Sequence, residues 1–136
     1  MAAPKKDISK ESIPTRTELE VLQVLWRNGP STVRFVHDIL NQNKEAVQYT
    51  STLKLMQLMN EKGMLERDET NMKHIYSAAA EEKKTKGFLL DKFIDSMYHG
   101  SVGNLMMALL GNDKTSKEDL EKVKELLDKM DKKLKP

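Results

Sequence analysis

Residues 48–78 read QYTSTLKLMQLMNEKGMLERDETNMKHIYSA, and they join a helical pattern to a hairpin pattern. In the first half, apolar side chains recur at the spacing of a buried helix face: Leu53, Met56, Met59. Gly63 stands where the C-terminal cap of that helix is expected. In the second half, two short extended runs flank a polar turn at residues 69–72. This order predicts a helix from about Gln48 or Thr50 to Lys62, followed by a two-stranded β-hairpin.

Two further helices are expected before this segment. Thr15 and Glu18 have the spacing of a capping box, in which a hydroxyl and a carboxylate satisfy the first amides of a helix. Asn28-Gly29-Pro30 ends that helix, because glycine tolerates a left-handed cap and proline cannot continue the helix. A second helix restarts at Ser31-Thr32 and breaks at Asn41-Gln42-Asn43. Three helices and a hairpin in this order predict a helix-turn-helix with a β wing. The single tryptophan, Trp26, lies on the apolar side of the first helix and is expected in the core.

The remainder of the chain has the pattern of three more helices. One is expected over residues 81–99, a short apolar one ends at Gly111-Asn112, and the last is capped by Thr115-Ser116. Along the last helix, apolar residues alternate spacings of three and four, which predicts a seam against a partner helix: Leu120, Val123, Leu127, Met130, Leu134. With Phe93 and Met97 of the first of these helices, Leu120, Val123, Leu127 and Met130 are the predicted dimer interface.

The expected fold class is therefore mainly α with a small β wing: a winged helix-turn-helix followed by a helical dimerisation region. We expect a flexible N-terminal arm at residues 1–13 and a winged-helix DNA-binding domain at residues 14–78. The helical dimerisation region is expected at residues 79–136.

The start of the third helix is the predicted reader of DNA. Helix N-termini attract phosphates, and short polar side chains there can reach base edges in a major groove. The candidates are Gln48, Tyr49, Thr50, Ser51 and Lys54. Candidate phosphate contacts are Lys73 and His74 after the wing turn, and Arg16 and Arg34 near helix starts, with Lys44 and Arg67 ranked below them. The alternative readings are an ordinary capped surface helix and an ordinary exposed hairpin cation.

Composition argues against several other classes of protein. The 136 residues are 32% charged with a formal net charge of only +2, so any attraction to DNA must come from the placement of cations. There is no cysteine, and His37, His74 and His99 are scattered, so we expect no metal site and no cofactor. The sequence contains no glycine-rich phosphate loop or GxSxG elbow, and we expect no enzymatic activity. No apolar run is long enough to span a bilayer, and we expect a cytoplasmic protein.

Together, these segments resemble the penicillinase-repressor (BlaI/MecI) family of winged-helix regulators. The resemblance covers roughly residues 13–135, and its most specific parts are residues 14–26, 49–56, 61–65, 73–76 and 93–100. It implies a homodimer, held by the C-terminal helices, on a two-fold operator of a resistance operon. It also implies induction by a membrane-bound sensor that leads to proteolysis of the repressor. The cleaved bond, Asn–Phe in well-known members, corresponds here to Ala108–Leu109, where neither residue matches.

We therefore expect a sequence-specific transcriptional repressor whose partners are an operator duplex, a second copy of itself and the sensor–protease pathway. The alternative is a helical protein–protein adaptor that uses its winged-helix surface without specific DNA binding. An enzyme is the third class, but the sequence suggests no reaction for it.

Overall fold

The computed structural model describes residues 13–42, 47–70 and 72–134. Over these residues the chain forms six helices and one two-stranded sheet: α1 (Arg16–Asn28), α2 (Val33–Gln42), α3 (Tyr49–Glu61), β1 (Leu65–Asp68), β2 (Ile75–Ala78), α4 (Glu82–Tyr98), α5 (Val102–Leu110) and α6 (Lys117–Leu134). The order confirms the predicted fold class, a winged helix followed by further helices. The expected arm, apart from Ile13, lies outside the described residues, as do Lys44 and the side chain of Leu134.

The start of α1 is held by the predicted capping box. The hydroxyl of Thr15 accepts a hydrogen bond from the amide of Glu18 at 3.2 Å, and the amide of Thr15 donates to Oε1 of Glu18 at 2.8 Å. Gly29 follows the helix with a φ of 80°, a conformation that glycine adopts without steric cost. Both ends of α1 are therefore determined by local sequence.

The end of α3 runs directly into the wing. The amide of Met64 donates to the carbonyl of Met59 at 2.9 Å, and the amide of Gly63 donates to the carbonyl of Asn60 at 3.1 Å. With Gly63 at a φ of 85°, this is a Schellman motif, and it confirms the glycine cap predicted from the sequence. β1 begins one residue later, so the motif sets the direction in which the hairpin leaves the helix.

The hairpin is bonded to the start of α2 as well as to itself. β1 and β2 pair antiparallel, from Leu65 opposite Ala78 to Asp68 opposite Ile75. Beyond this ladder, the amide of Ser31 donates to the carbonyl of Tyr76 at 2.9 Å, and the amide of Tyr76 donates to the carbonyl of Ser31 at 2.8 Å. Ser31, two residues before α2, therefore acts as a one-residue third strand.

One hydrophobic core joins the three N-terminal helices and the hairpin. Its most deeply buried side chains come from α1, α2, α3, β1 and β2: Val21, Leu22, Val36, Met56, Met59, Leu65 and Tyr76. Trp26 packs against this core as predicted, and its indole nitrogen donates to the carbonyl of Ala80 at 3.0 Å. That bond fixes the segment just after β2 against α1.

The chain divides into two compact units between Leu90 and Asp91, within α4. The domain boundary at residues 78 and 79 remains a prediction. In the second unit, the hydroxyl of Ser101 caps α5 and the hydroxyl of Ser116 accepts from the amide of Asp119 at 3.0 Å. α5 and α6 border an apolar groove of about 740 Å³, to which both contribute side chains: Met106, Leu109, Leu110, Leu120, Val123 and Leu127.

Candidate nucleic-acid interface

The first half of α3 presents polar side chains to solvent and apolar ones to the core. Thr50, Ser51 and Lys54 are exposed, whereas Thr52 and Met56 are buried. Gln48 is the N-cap residue, and its side chain makes no capping hydrogen bond. The first amides of α3 are thus not capped by that side chain.

A cleft of about 350 Å³ lies beside this helix start. Its walls come from the start of α2, the start of α3 and the wing: Thr32, Val33, Arg34, Tyr49, Leu53, Met72, Lys73, His74 and Tyr76. The structure therefore places four of the predicted DNA-binding residues around one opening, namely Arg34, Tyr49, Lys73 and His74. Two of them are formal cations, Arg34 and Lys73, which are 39 positions apart in the numbering and are brought together only by the fold.

Tyr49 is held between two side chains of α2. The guanidinium carbon of Arg34 lies 4.2 Å from the centroid of the Tyr49 ring, a cation–π contact. On another side, the ring of His37 meets Tyr49 edge-on, with centroids 5.5 Å apart and an interplanar angle of 88°. A stacked guanidinium keeps its N–H edge available, so Arg34 can rest on Tyr49 and bind a phosphate at the same time.

A buried polar cluster beneath these residues was missed by sequence reasoning. Nδ1 of His37 lies 2.8 Å from the hydroxyl of Thr52, and Nε2 lies 2.8 Å from the side-chain nitrogen of Asn41. The sequence interpretation considered His37 only as a metal ligand. The spacing of four between His37 and Asn41, which places both on one helix face, was the signal that could have found this pair.

The remaining predicted cations lie elsewhere. The side chain of Arg16 is 91% exposed at the start of α1, with its guanidinium 3.8 Å from Glu20, and it does not line the cleft. Arg67 forms an ion pair with Glu69 within the wing. A hydrogen bond with Tyr76, which lies opposite it in the hairpin, raises the pKa of Arg67. Arg67 is thus engaged by the hairpin itself, in keeping with its lower rank as a phosphate contact.

Neither a metal-binding cluster nor a membrane-spanning helix is found in the part of the chain that the structure describes. Its histidine, aspartate and glutamate side chains form no group of three that could hold a metal ion. Within the same residues, every helix is too short or too polar to cross a membrane.

Comparison with known families gives one match. The penicillinase repressor family matches residues 14–129, from the residue before the α1 cap into α6. The match includes α3, the wing, the cleft and α5. A search of curated proteins found no significant match.

Proposed function

The chain belongs to the penicillinase repressor family and is therefore a DNA-binding transcriptional repressor; we propose that it acts as a homodimer on a two-fold operator. The regulated genes are proposed to form a resistance or stress operon. The observation that carries the proposal is the exposed row of Thr50, Ser51 and Lys54 beside a cleft that contains Arg34 and Lys73. This is a polar helix start next to cations contributed by two other elements.

The two groups of residues have different tasks. α3 enters the major groove, where Lys54 donates to guanine and the hydroxyls of Thr50 and Ser51 donate to or accept from base edges. Gln48 and Tyr49 stand at the N-terminus of the same helix. The phosphate contacts are Arg34, Lys73 and His74 around the cleft and Arg16 at the start of α1, and they fix the register of the protein on the duplex.

Dimerisation through the second half of the chain is supported by its exposed apolar side chains. On α6, Val123, Leu127 and Met130 are exposed and Leu120 is half-buried. Burying such side chains contributes roughly 1.5–3 kcal/mol each. A second copy supplies the apolar surface that these side chains lack, and Phe93 and Met97 of α4 extend the interface. A dimer would place two copies of α3 in successive major grooves, about 34–36 Å apart.

Relief of repression by proteolysis is supported by the exposure of α5. None of its residues is buried, and the bond Ala108–Leu109 lies in its last turn. Cutting there would separate the DNA-binding half from α6, so the two half-sites would no longer be bound together at high effective concentration. The proposed signal comes from a membrane-bound sensor.

Selection from fragmented genomic DNA tests the function directly. Fragments retained by the protein should share an inverted repeat, and fluorescence anisotropy on that duplex and on a scrambled one then measures specificity. We expect Ser51→Ala and Lys54→Ala each to cost about 1–3 kcal/mol on the operator and little on scrambled DNA. Lys83→Ala, which removes an exposed lysine of α4, is the matched control. Unchanged preference in both α3 variants would reject α3 as the reader, and retained fragments without a repeat would reject the two-fold operator.

A further inference from the structure

His37 stands between α2 and α3 with a hydrogen-bonding partner on each ring nitrogen. His37 is only 6% exposed to solvent, and its partner Thr52, on α3, is 3% exposed. The other partner, Asn41, lies one helical turn further along α2 and also reaches Val47, just before α3. The cluster therefore links α2 to α3 through Thr52, and it links α2 to Val47, which lies between the two helices in the sequence.

The direction of these hydrogen bonds follows from one backbone group. The amide of Val47 donates at 3.1 Å to Oδ1 of Asn41, and a backbone N–H can only donate. The side-chain oxygen of Asn41 thus faces the amide of Val47, and its nitrogen faces Nε2 of His37 and also donates to the carbonyl of Val47 at 3.4 Å. Since that nitrogen is a donor, Nε2 must accept, and the ring hydrogen resides on Nδ1 and is donated to the hydroxyl of Thr52.

This arrangement controls how α3 is rotated about its own axis. Thr52 and Tyr49 are three residues apart, so they lie on one face of α3, and both contact His37. Thr50, Ser51 and Lys54 occupy the exposed face of the same turns. A rotation that released Thr52 and Tyr49 from His37 would turn those three side chains away from their present direction.

We propose that His37, as the neutral Nδ1–H tautomer selected by Asn41, is a positioning residue for base reading by α3. The inference rests on the proposed function, because it needs α3 to be the reader. His37 lies beneath the surface of α3 and acts through Thr52 and Tyr49. Operator preference therefore depends on a ring that is buried between the two helices.

Nitrogen NMR of the imidazole in the full-length protein tests the tautomer. At neutral pH we expect His37 to show a protonated Nδ1 and an unprotonated Nε2. In Asn41→Asp the carboxylate can only accept, so Nε2 must become protonated to keep its contact; the amide of Val47 keeps an acceptor, and the carbonyl of Val47 loses the donor at 3.4 Å. A protonated Nε2 in the unchanged protein, or an unaltered spectrum in Asn41→Asp, would overturn the assignment.

Binding measurements test the positioning role. Thr52→Val keeps the shape of the side chain but leaves Nδ1–H without its acceptor, and we expect the ratio of operator to scrambled affinity to fall about tenfold. Thr52→Ser retains the hydroxyl and should stay within about threefold of the unchanged protein. Melting temperatures identify any variant that is unfolded at the temperature of the assay. The ratio of operator to scrambled affinity, measured for Asn41→Asp and for the unchanged protein, tests the positioning role independently of Thr52.

The outcomes separate this inference from the proposed function. If Ser51→Ala and Lys54→Ala lower the operator preference but Thr52→Val does not, α3 reads DNA and the role of His37 is refuted. If Ser51→Ala and Lys54→Ala also leave the preference unchanged, the proposed reader itself is wrong.

Discussion

The ammonium group of Lys62 lies 2.9 Å from the carboxylate of Glu18, and this pair ties the end of α3 to the first turn of α1. Glu18 is only 3% exposed, and its carboxylate also accepts the amide of Thr15. Burial acts to raise the pKa of Glu18, but the hydrogen bonds from Thr15 and Lys62 outweigh it and hold the pKa below its ordinary value of 4.5. The charged form of Glu18 therefore stabilises the fold.

The depressed pKa predicts an acid-sensitive contribution to stability. It is fully present above pH 4.5, the ordinary value, and is lost as the pH falls from there through the lower folded-state value. Glu18→Gln keeps an acceptor for Thr15 but loses the charge opposite Lys62. We expect it to lower the free energy of unfolding at neutral pH by about 1 kcal/mol, since Lys62 is partly exposed. Urea denaturation across the acid range measures this.

The control for that measurement is Glu82→Gln, which removes one partner of the exposed Glu82–Lys86 pair. Exposed pairs of this kind contribute about 0.5 kcal/mol or less, so this variant should stay close to the unchanged protein. Equal destabilisation by Glu18→Gln at neutral pH and well below pH 4.5 would contradict the assigned role of the charge.

The cleft cations should respond to salt in the manner of phosphate contacts. Lys73→Ala is expected to weaken binding to operator and scrambled duplexes alike. It should also reduce the slope of log affinity against log salt by about one for each protomer. Anisotropy titrations at several salt concentrations provide both numbers, with Lys83→Ala as the control. A loss confined to the operator would instead make Lys73 a reader of bases.

The stack of Arg34 on Tyr49 predicts that charge alone is insufficient at this position. Arg34→Lys keeps the cation but loses the planar group that lies 4.2 Å from the ring centroid. We expect operator affinity to fall about threefold to tenfold in Arg34→Lys, with most of the salt slope retained. Arg34→Ala should lose both affinity and slope. Indistinguishable affinities for Arg34→Lys and the unchanged protein would show that the stack has no role in binding.

If the apolar face of α6 forms the dimer interface, a charge placed on that face should weaken the dimer. Leu127→Asp should raise the dimer dissociation constant by at least about tenfold, because it replaces an apolar contact worth roughly 1.5–3 kcal/mol with a carboxylate. Analytical ultracentrifugation over a concentration series measures the constant. Lys129→Asp introduces the same side chain at an exposed position outside the seam. If Leu127→Asp sediments as the unchanged protein does, the interface lies elsewhere.

A hydrogen bond from the hydroxyl of Thr115 stabilises the C-terminal end of α5, and its loss should make that end open more often. The hydroxyl donates to the carbonyl of Leu109 at 2.6 Å, and the amide of Asn112 donates to the same oxygen at 3.1 Å. Thr115→Val removes one of these bonds and should speed limited proteolysis at Ala108–Leu109 about fivefold, if local opening limits cleavage. Thr115→Ser retains the bond and should be cut at the original rate. Mass spectrometry of the fragments identifies the bond, and equal rates for both variants would contradict the prediction.

Sequence reasoning succeeded where structure is set by neighbouring residues. The Thr15–Glu18 box, the glycine at residue 63 and the two short strands are all local signals, because each depends on backbone groups within a few positions. The links that position the candidate interface are different. Thr52 contacts His37 and Arg34 stacks on Tyr49 only after α2 and α3 have packed, and no periodicity specifies which polar side chains then meet.

The bridge between Ser31 and Tyr76 has a mechanical consequence. Arg34 follows Ser31 by three residues, and Lys73 precedes Tyr76 by three, so the two hydrogen bonds of the bridge restrain the backbone segments that carry these cations relative to each other. The hairpin cannot swing outward without breaking both bonds. If Arg34 and Lys73 both bind phosphates, as proposed, the bridge limits how far apart those two phosphates can lie. We therefore expect the repressor to sense the width of the DNA groove between them and to disfavour duplexes too stiff to adopt that width.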